Sequence, residues 1–482
     1  MRDFRSILNI IGLLLCIESF AMIIPLIVDL LYSNNDWKQF FYSSILTFII
    51  GLVFFLSFRK EKNKINIRQA FVLTILSWLL LAFFGSIPFI YTSSLLSYSD
   101  AFFESVSGIT TTGATVINNL DELPEGILVW RSLLQWFGGI GIIVLAMAIL
   151  PTLQIGGMQL LHMEHDDPYE KTIPKINRFV LELFSLYICL SIVCGLLYFI
   201  NGMNAFDSFI HAMTTISTGG FSNYNQSFSY FNSIQIELVS ILFMIIGSLP
   251  FVLYLQFIHQ KQKSFVIDDQ IKLFFIILLS IVLVSAIWLH INHSQDIISS
   301  IRVSLFNITS ILTGTGYTSN NYSNWGSFGT LVMIMIMFIG GCAGSTTGGI
   351  KIFRLQILFR GAINQIKKLT QPHAVLLMRF NGKTVNDNTY NSVMGFFFMY
   401  ILLFIISALS LSFFKIDFLT ALSASASAIS NVGPGLGEII GPSGNYFALE
   451  NGAKWILSLT MIIGRLEIFT VLVLLSVNFW KN

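Results

Sequence analysis

Four short stretches of this 482-residue chain set glycine beside hydroxyl or amide side chains. They read Thr110-Thr111-Thr112-Gly113-Ala114, Ser217-Thr218-Gly219-Gly220-Phe221, Thr313-Gly314-Thr315-Gly316-Tyr317 and Asn431-Val432-Gly433-Pro434-Gly435. With Gly113, Gly219, Gly316 and Gly433 taken as equivalent, the steps between them are 106, 97 and 117 residues. Such residues suit one kind of chemistry, the coordination of a dehydrated monovalent cation. The ion needs oxygens in place of its water, and successive backbone carbonyls can supply them where glycine allows the required angles. The expected ligands are Thr111, Thr112, Gly113, Thr218, Gly219, Gly220, Thr315, Gly316, Tyr317, Asn431, Val432 and Gly433. One such turn also fits an ordinary external loop, but four at a regular spacing indicate an internal repeat.

Something must hold these turns. Each follows a moderately apolar segment too short to cross a membrane: 101–109, 206–216, 301–312 and 418–429. These fit re-entrant helices, whose C-terminal ends would aim partial negative charge at a central ion. Asp100, Asp207 and Asp417 are the expected N-caps of three, and Ser299 or Ser300 of the third segment.

The surroundings read as membrane. The chain is 54% hydrophobic and only 11% charged, less than half the charged share of an ordinary soluble domain. Ten stretches approach the roughly 20 apolar residues of a span: 8–31, 40–58, 70–90, 127–150, 180–200, 234–257, 271–289, 328–350, 392–413 and 454–477. The first is expected to be a retained helix and not a removed signal peptide. Basic residues follow the even-numbered spans: Arg59, Lys60, Lys62, Lys64 and Arg68, then Lys171, Lys175 and Arg178, then Lys261 and Lys263, then Lys351, Arg354, Arg360, Lys367 and Lys368. The positive-inside rule then places both termini in the cytoplasm. A formal net charge of +2 offers nothing suited to nucleic acid. The four cysteines show no disulfide or metal spacing.

The expected fold is therefore an all-α polytopic membrane protein, with two N-terminal helices and four membrane–pore–membrane repeats around one pseudo-fourfold pore. The divisions are 1–66 for the N-terminal hairpin, then 67–170, 171–265, 266–370 and 371–482 for the repeats.

Two features lie below the turns. Gly340, Gly341, Gly344, Ser345, Gly348 and Gly349 crowd the eighth span, where each glycine costs about 1 kcal/mol relative to alanine in a helix. They suit either close helix packing or an unwound loop across the ion path. Arg465 lies within the tenth span, where an unpartnered charge costs at least ~2.5–3.5 kcal/mol. It reads either as a packing salt bridge or as a cation that repels the permeant ion and binds the loop's carbonyls; Glu467, two residues on, faces elsewhere. Glu104 is expected to hydrogen-bond behind the first pore helix. Glu18 is a possible proton carrier outside the repeats, and His211 a packed histidine rather than a ligand.

With these turns in hand, the chain resembles the Trk/Ktr/HKT superfamily of potassium transporters, and its bacterial TrkH type in particular. The resemblance spans essentially the whole chain. It is carried by Phe102-Phe103-Glu104-Ser105, Gln135-Trp136-Phe137-Gly138-Gly139-Ile140-Gly141-Ile142, Phe338-Ile339-Gly340-Gly341-Cys342-Ala343-Gly344-Ser345, Gly433-Pro434-Gly435-Leu436-Gly437 and Gly464-Arg465-Leu466-Glu467-Ile468-Phe469-Thr470. It departs at Gly314 and Tyr317, where the TrkH type more often has Thr and Phe, and at Thr218, where a bulkier aliphatic residue is expected. In the superfamily a serine at the first central position goes with sodium preference, so Gly113 favours potassium.

The resemblance implies potassium uptake across a bacterial inner membrane, a homodimer with one pore per subunit, and a gate formed by the glycine-rich loop. It also implies regulation by a cytosolic TrkA-type nucleotide-binding ring. The chain's own connections hold no glycine-rich strand–helix fingerprint, so a nucleotide would act through that partner. No covalently bound cofactor is expected, and potassium would be the substrate. Symport coupled to protons or sodium keeps the same fold. A membrane oxidoreductase would need paired histidines or metal-binding cysteines, which the sequence lacks.

Overall fold

The computed structural model describes residues 4–58, 66–91, 96–146, 173–260 and 268–481. The basic residues Arg59, Lys60, Lys62, Lys64, Lys171, Lys261 and Lys263, and the end of the fourth expected span, lie outside them. The architecture is helical throughout, apart from a short antiparallel hairpin pairing Arg379–Phe380 with Lys383–Thr384. Two N-terminal helical spans come first, and four repeats of outer helix, short helix, turn and outer helix follow.

Among the described residues, seven helical spans are long and apolar enough to cross a bilayer unbroken: Arg5–Tyr32, Trp37–Ser57, Ile67–Tyr91, Glu125–Val144, Arg178–Ile200, Asp269–His293 and Asp387–Ser412. The other three expected spans are broken. Ile234–Ser248 bends by 88° into Phe251–His259, and Asn451–Arg465 bends by 111° into Ile468–Leu475. The eighth span stops at Phe338 and resumes as Ile352–Thr370. Each break has a local cause. Pro250 supplies no N–H to continue a helix, Glu467 sits at φ 63°, and the glycines of 340–349 hold no regular helix. All three broken helices are the second outer helices of repeats 2, 3 and 4. Large apolar residues on the outer helices, such as Leu31, Ile276, Met335 and Phe398, are exposed and face what would be lipid.

The short helices are Tyr98–Ile109, Ala205–Ile216, Ile297–Leu312 and Phe418–Ser430. Three of the four expected N-caps differ. Only Asp417 caps as expected, accepting from the Thr420 N–H at 3.1 Å. Ser97 and Asn204 cap the first two helices, while Asp100 and Asp207 sit three residues in and accept from the capping side chains at 2.6 and 2.8 Å. The aspartate N–H groups bond back to the same capping side chains, a variant of the capping box in which the acidic residue accepts from the cap's side chain and not from its backbone N–H. The third helix starts earlier and is capped by Asp296, not by Ser299 or Ser300.

The last repeat closes on the first. Lys454 pairs with Asp100 at 2.5 Å, Ser99 donates to Asn451 at 2.8 Å, and Phe102 stacks on Trp455 at 4.8 Å between ring centroids. Between repeats 2 and 3, Glu237 takes a two-pronged bond from Arg302, both contacts at 2.7 Å. Repeats 3 and 4 meet through Phe338 and Phe404, 5.0 Å apart.

Candidate functional site

All four short helices end the same way. The N–H groups of Thr111, Thr218, Gly314 and Asn431 donate three residues back, to the carbonyls of Gly108, Thr215, Ile311 and Ala428. The next N–H groups, of Thr112, Gly219, Thr315 and Val432, donate five residues back, to Ser107, Thr214, Ser310 and Ser427. This is the Schellman termination, which places one residue in the left-handed region. That residue is Thr111 (φ 51°), Thr218 (49°), Gly314 (71°) or Asn431 (56°). Two residues on, Gly113, Gly220, Gly316 and Gly433 are left-handed as well, at 85°, 79°, 81° and 105°. A β-branched residue at positive φ persists only where its surroundings enforce it.

This geometry corrects the register expected from sequence. The equivalent glycine of repeat 2 is Gly220, not Gly219. In repeat 3 the matching triplet is Gly314-Thr315-Gly316, so Gly314 replaces Tyr317 in the set. Tyr317 stands one place beyond, at the position of Ala114, Phe221 and Pro434. Its buried ring packs behind the turn, and its hydroxyl shares a 2.5 Å hydrogen bond with Thr214 Oγ1.

The four turns form a closed ring. A Cβ built on Gly113 would lie 2.3 Å from the Gly219 carbonyl oxygen. On Gly220 it would lie 1.6 Å from that of Thr315, on Gly316 2.1 Å from that of Val432, and on Gly433 2.7 Å from that of Thr112. Each glycine thus abuts the same carbonyl of the next repeat, and the sequence returns from repeat 4 to repeat 1. The same four glycines line one open cavity of about 70 Å³.

Buried side chains brace the ring from behind. Gln135 donates to the Gly219 carbonyl at 2.6 Å and accepts from the Phe221 N–H at 3.0 Å. Glu104 accepts from Val116 N–H at 2.9 Å and pairs with Arg131 at 2.8 Å, as its structural reading anticipated. Arg131 also donates to the Ser222 carbonyl at 3.0 Å and lies 4.1 Å from the Phe221 ring. Tyr446 and Ser427 donate to the Gly433 carbonyl at 2.9 and 2.8 Å. His211 is packed, with its ring nitrogens 2.9 Å from the Asp207 carbonyl and 3.1 Å from Ser222 Oγ. Glu18 is buried in the first helix, and among the described residues neither carboxyl oxygen has a hydrogen-bond partner.

Residues Gly340, Gly341, Gly344, Ser345, Gly348 and Gly349 lie in a non-helical loop whose ends are pinned together. Gly340 N–H donates to the Ile350 carbonyl, and Ile350 N–H to that of Phe338, both at 2.9 Å. The loop sits directly against the helix ends that carry the ring. A Cβ on Gly348 would lie 2.2 Å from the Ser430 carbonyl oxygen, and Thr346 Oγ1 donates to the Gly247 and Ile216 carbonyls at 2.9 and 3.3 Å. The cation bonded to this loop is Lys351, which donates to the carbonyl and hydroxyl of Thr347. Arg465 is buried, but among the described residues none of its three guanidinium nitrogens makes a hydrogen bond, so the expected link to loop carbonyls is not formed. Glu467 instead pairs with buried Arg354 at 2.7 Å.

Sequence reasoning missed Gly314, Lys351, Arg131 and the Arg354–Glu467 pair. The charges were visible as rare ionisable residues near membrane depth, but the partners of Arg131 and Arg354 lie 27 and 113 residues away, and only the loop's unwound path turns Lys351 back onto Thr347, four residues before it.

A four-repeat helical bundle closed around a central ring of carbonyls defines a multi-pass membrane protein of the transporter class, not an enzyme. The TrkH family model, described as a cation transport protein, matches residues 37–481. The chain is 38% identical to the Trk system potassium uptake protein TrkI of Halomonas elongata, over all of this chain and 98% of that one. It is 37% identical to TrkH of Escherichia coli K12, over 99% of this chain and the whole of that one. The crystal structure of the potassium transporter TrkH from Vibrio parahaemolyticus superposes with a TM-score of 0.93 at 37% identity, covering 99% of this chain and all of the other. The chain belongs to the TrkH family of cation transport proteins.

Proposed function

We propose that this chain takes up potassium through a selectivity filter formed by the four turns. The observation that carries the reading is the closed ring, in which the Thr112, Gly219, Thr315 and Val432 carbonyls each abut the preceding repeat's glycine. Backbone carbonyls held in that way replace the hydration shell of a monovalent cation. The relatives named for potassium uptake support the choice of ion. The loop 340–349 lies across the inner side of the ring and acts as the gate. Lys351 holds the loop, and the unpaired Arg465 guanidinium adds an electrostatic barrier to cations. The working protein is a homodimer in a bacterial inner membrane with both termini cytoplasmic. A cytosolic TrkA-type ring binds the nucleotide and pulls on the helix Ile352–Thr370 to move the loop. The repeats divide near residues 66, 170, 265 and 370.

Purified protein in liposomes tests the reading through rubidium uptake competed by potassium, sodium and lithium. Potassium is expected to compete far better than sodium, and equal competition by all three ions would refute a potassium filter. Arg465→Ala is expected to raise uptake per folded molecule when no partner is present; unchanged uptake would remove Arg465 from the gate. Symport is the second reading, since Glu18 is a buried carboxyl without a bonded partner. Repeating the uptake with and without a proton gradient separates the two.

A further inference from the structure

We infer that Gln135 fixes the repeat 2 quarter of the carbonyl ring and thereby helps set its discrimination between monovalent cations. The inference rests on reading that ring as the selectivity filter. The ring residues are Thr112, Gly219, Thr315 and Val432, and only in repeat 2 does the position lack a side chain. The space is not empty. A Cβ on Gly219 would lie 2.4 Å from Gln135 Cδ and 2.5 Å from its Oε1. The amide of a residue in repeat 1 occupies the place that threonine or valine fills in the other quarters.

Gln135 also clamps the turn on both sides of Gly220. Its Nε2 donates to the Gly219 carbonyl at 2.6 Å, and its Oε1 accepts from the Phe221 N–H at 3.0 Å. The residue is fully buried, and both of its polar ends are engaged. The matching helices of repeats 2 and 4 carry no such group at this place. Gly138, Gly247 and Gly464 pack against the carbonyls of Ile109, Ile216 and Ile429, which sets the second outer helices of repeats 1, 2 and 4 in common register. Three residues before these glycines stand Gln135, Met244 and Met461. A thioether cannot donate a hydrogen bond.

A carbonyl oxygen has two lone pairs. One on Gly219 is held by the Gln135 amide, which leaves the other for an ion and ties the oxygen to a packed helix. A quarter of the ring held at fixed distance cannot contract around an ion smaller than potassium. Without the clamp, the Gly219–Phe221 peptides are free to move inward, and sodium is rejected less well. Gln135 acts through the carbonyl and is therefore a positioning residue.

The test uses the full-length chain in liposomes, with rubidium uptake competed by sodium, for the wild type, Gln135→Leu and Gln135→Glu. Both variants are expected to let sodium compete at about fivefold lower concentration, the change that one hydrogen bond of ordinary net strength, ~1 kcal/mol, is worth. Melting temperature and oligomer size are recorded beside it. A purely structural role would lower uptake per molecule and melting temperature while leaving the competition ratio unchanged, and that result overturns the inference. If Gln135→Leu does not fold, the isosteric Gln135→Glu, which keeps the acceptor for Phe221, decides alone. A selective wild type with unaltered variants overturns this inference only. A wild type without preference among the ions overturns the proposed function and this inference with it.

Discussion

Alanine at the left-handed glycines should damage the ring in a definite order. In Gly220→Ala the new Cβ would lie 1.6 Å from the Thr315 carbonyl oxygen. Real Cβ contacts do not fall below 3.0 Å, so that oxygen must move by about 1.4 Å. The neighbour is backbone in the adjacent turn, not the end of a flexible side chain, so the displacement falls on a proposed ion ligand. Gly314→Ala is the matched control. It carries the same left-handed penalty, about 1–2 kcal/mol, but its nearest neighbour would be the Asn431 carbonyl at 3.4 Å, an ordinary contact. Both substitutions should therefore lower the melting temperature, while only Gly220→Ala should abolish discrimination between potassium and sodium. Gly316→Ala and Gly113→Ala, at 2.1 and 2.3 Å, should resemble Gly220→Ala, and Gly433→Ala, at 2.7 Å, should be milder. Competition of rubidium uptake in liposomes, normalised to folded protein, measures the order. A Gly220→Ala protein as selective as the wild type, or a Gly314→Ala protein as unselective as Gly220→Ala, would refute the ring geometry as the source of selectivity.

Arg131→Met strands the buried Glu104 carboxylate and should lower stability by about 3–5 kcal/mol, visible as a large drop in melting temperature in detergent. Adding Glu104→Gln should recover part of that loss, and a single mutant that melts like the wild type would mean the pair is not bracing the outer turn. Lys351→Met removes a charged donor from Thr347, an interaction worth about 1.5–3 kcal/mol. Uptake without the cytosolic partner should rise about tenfold if the loop is the gate, and unchanged uptake would show that the loop is held by its backbone bonds alone.

The sequence displayed the repeat because repetition is a one-dimensional property: four glycine turns at near-equal spacing, each behind a short apolar segment, between long apolar stretches. It displayed the helix breaks less well. The run 340–349 was legible as an interrupted span, since so many glycines weaken any helix. The bends at Pro250 and Glu467 were not, because hydropathy averages over a window and does not record direction. The register of repeat 2 was misjudged by one residue for a related reason. Gly219 and Gly220 are identical letters whose N–H groups both donate to the Thr214 carbonyl, and the sign of φ, positive only at Gly220, tells them apart.

By itself, the sequence determined the membrane setting, the helical class, the fourfold repeat and the approximate place of every turn. These follow from composition, period and spacing, which the chain carries whatever its neighbours do. Tertiary structure alone decided which carbonyl meets which glycine, that Gln135 fills the space left by Gly219, that Lys351 and not Arg465 bonds the loop, and that Glu467 pairs with Arg354. Apart from Lys351, which bonds Thr347 four residues back, each of these is a contact between residues far apart in the chain. Its partner is chosen by the closing of the ring, where a shift of one residue replaces a glycine with a side chain that has no room.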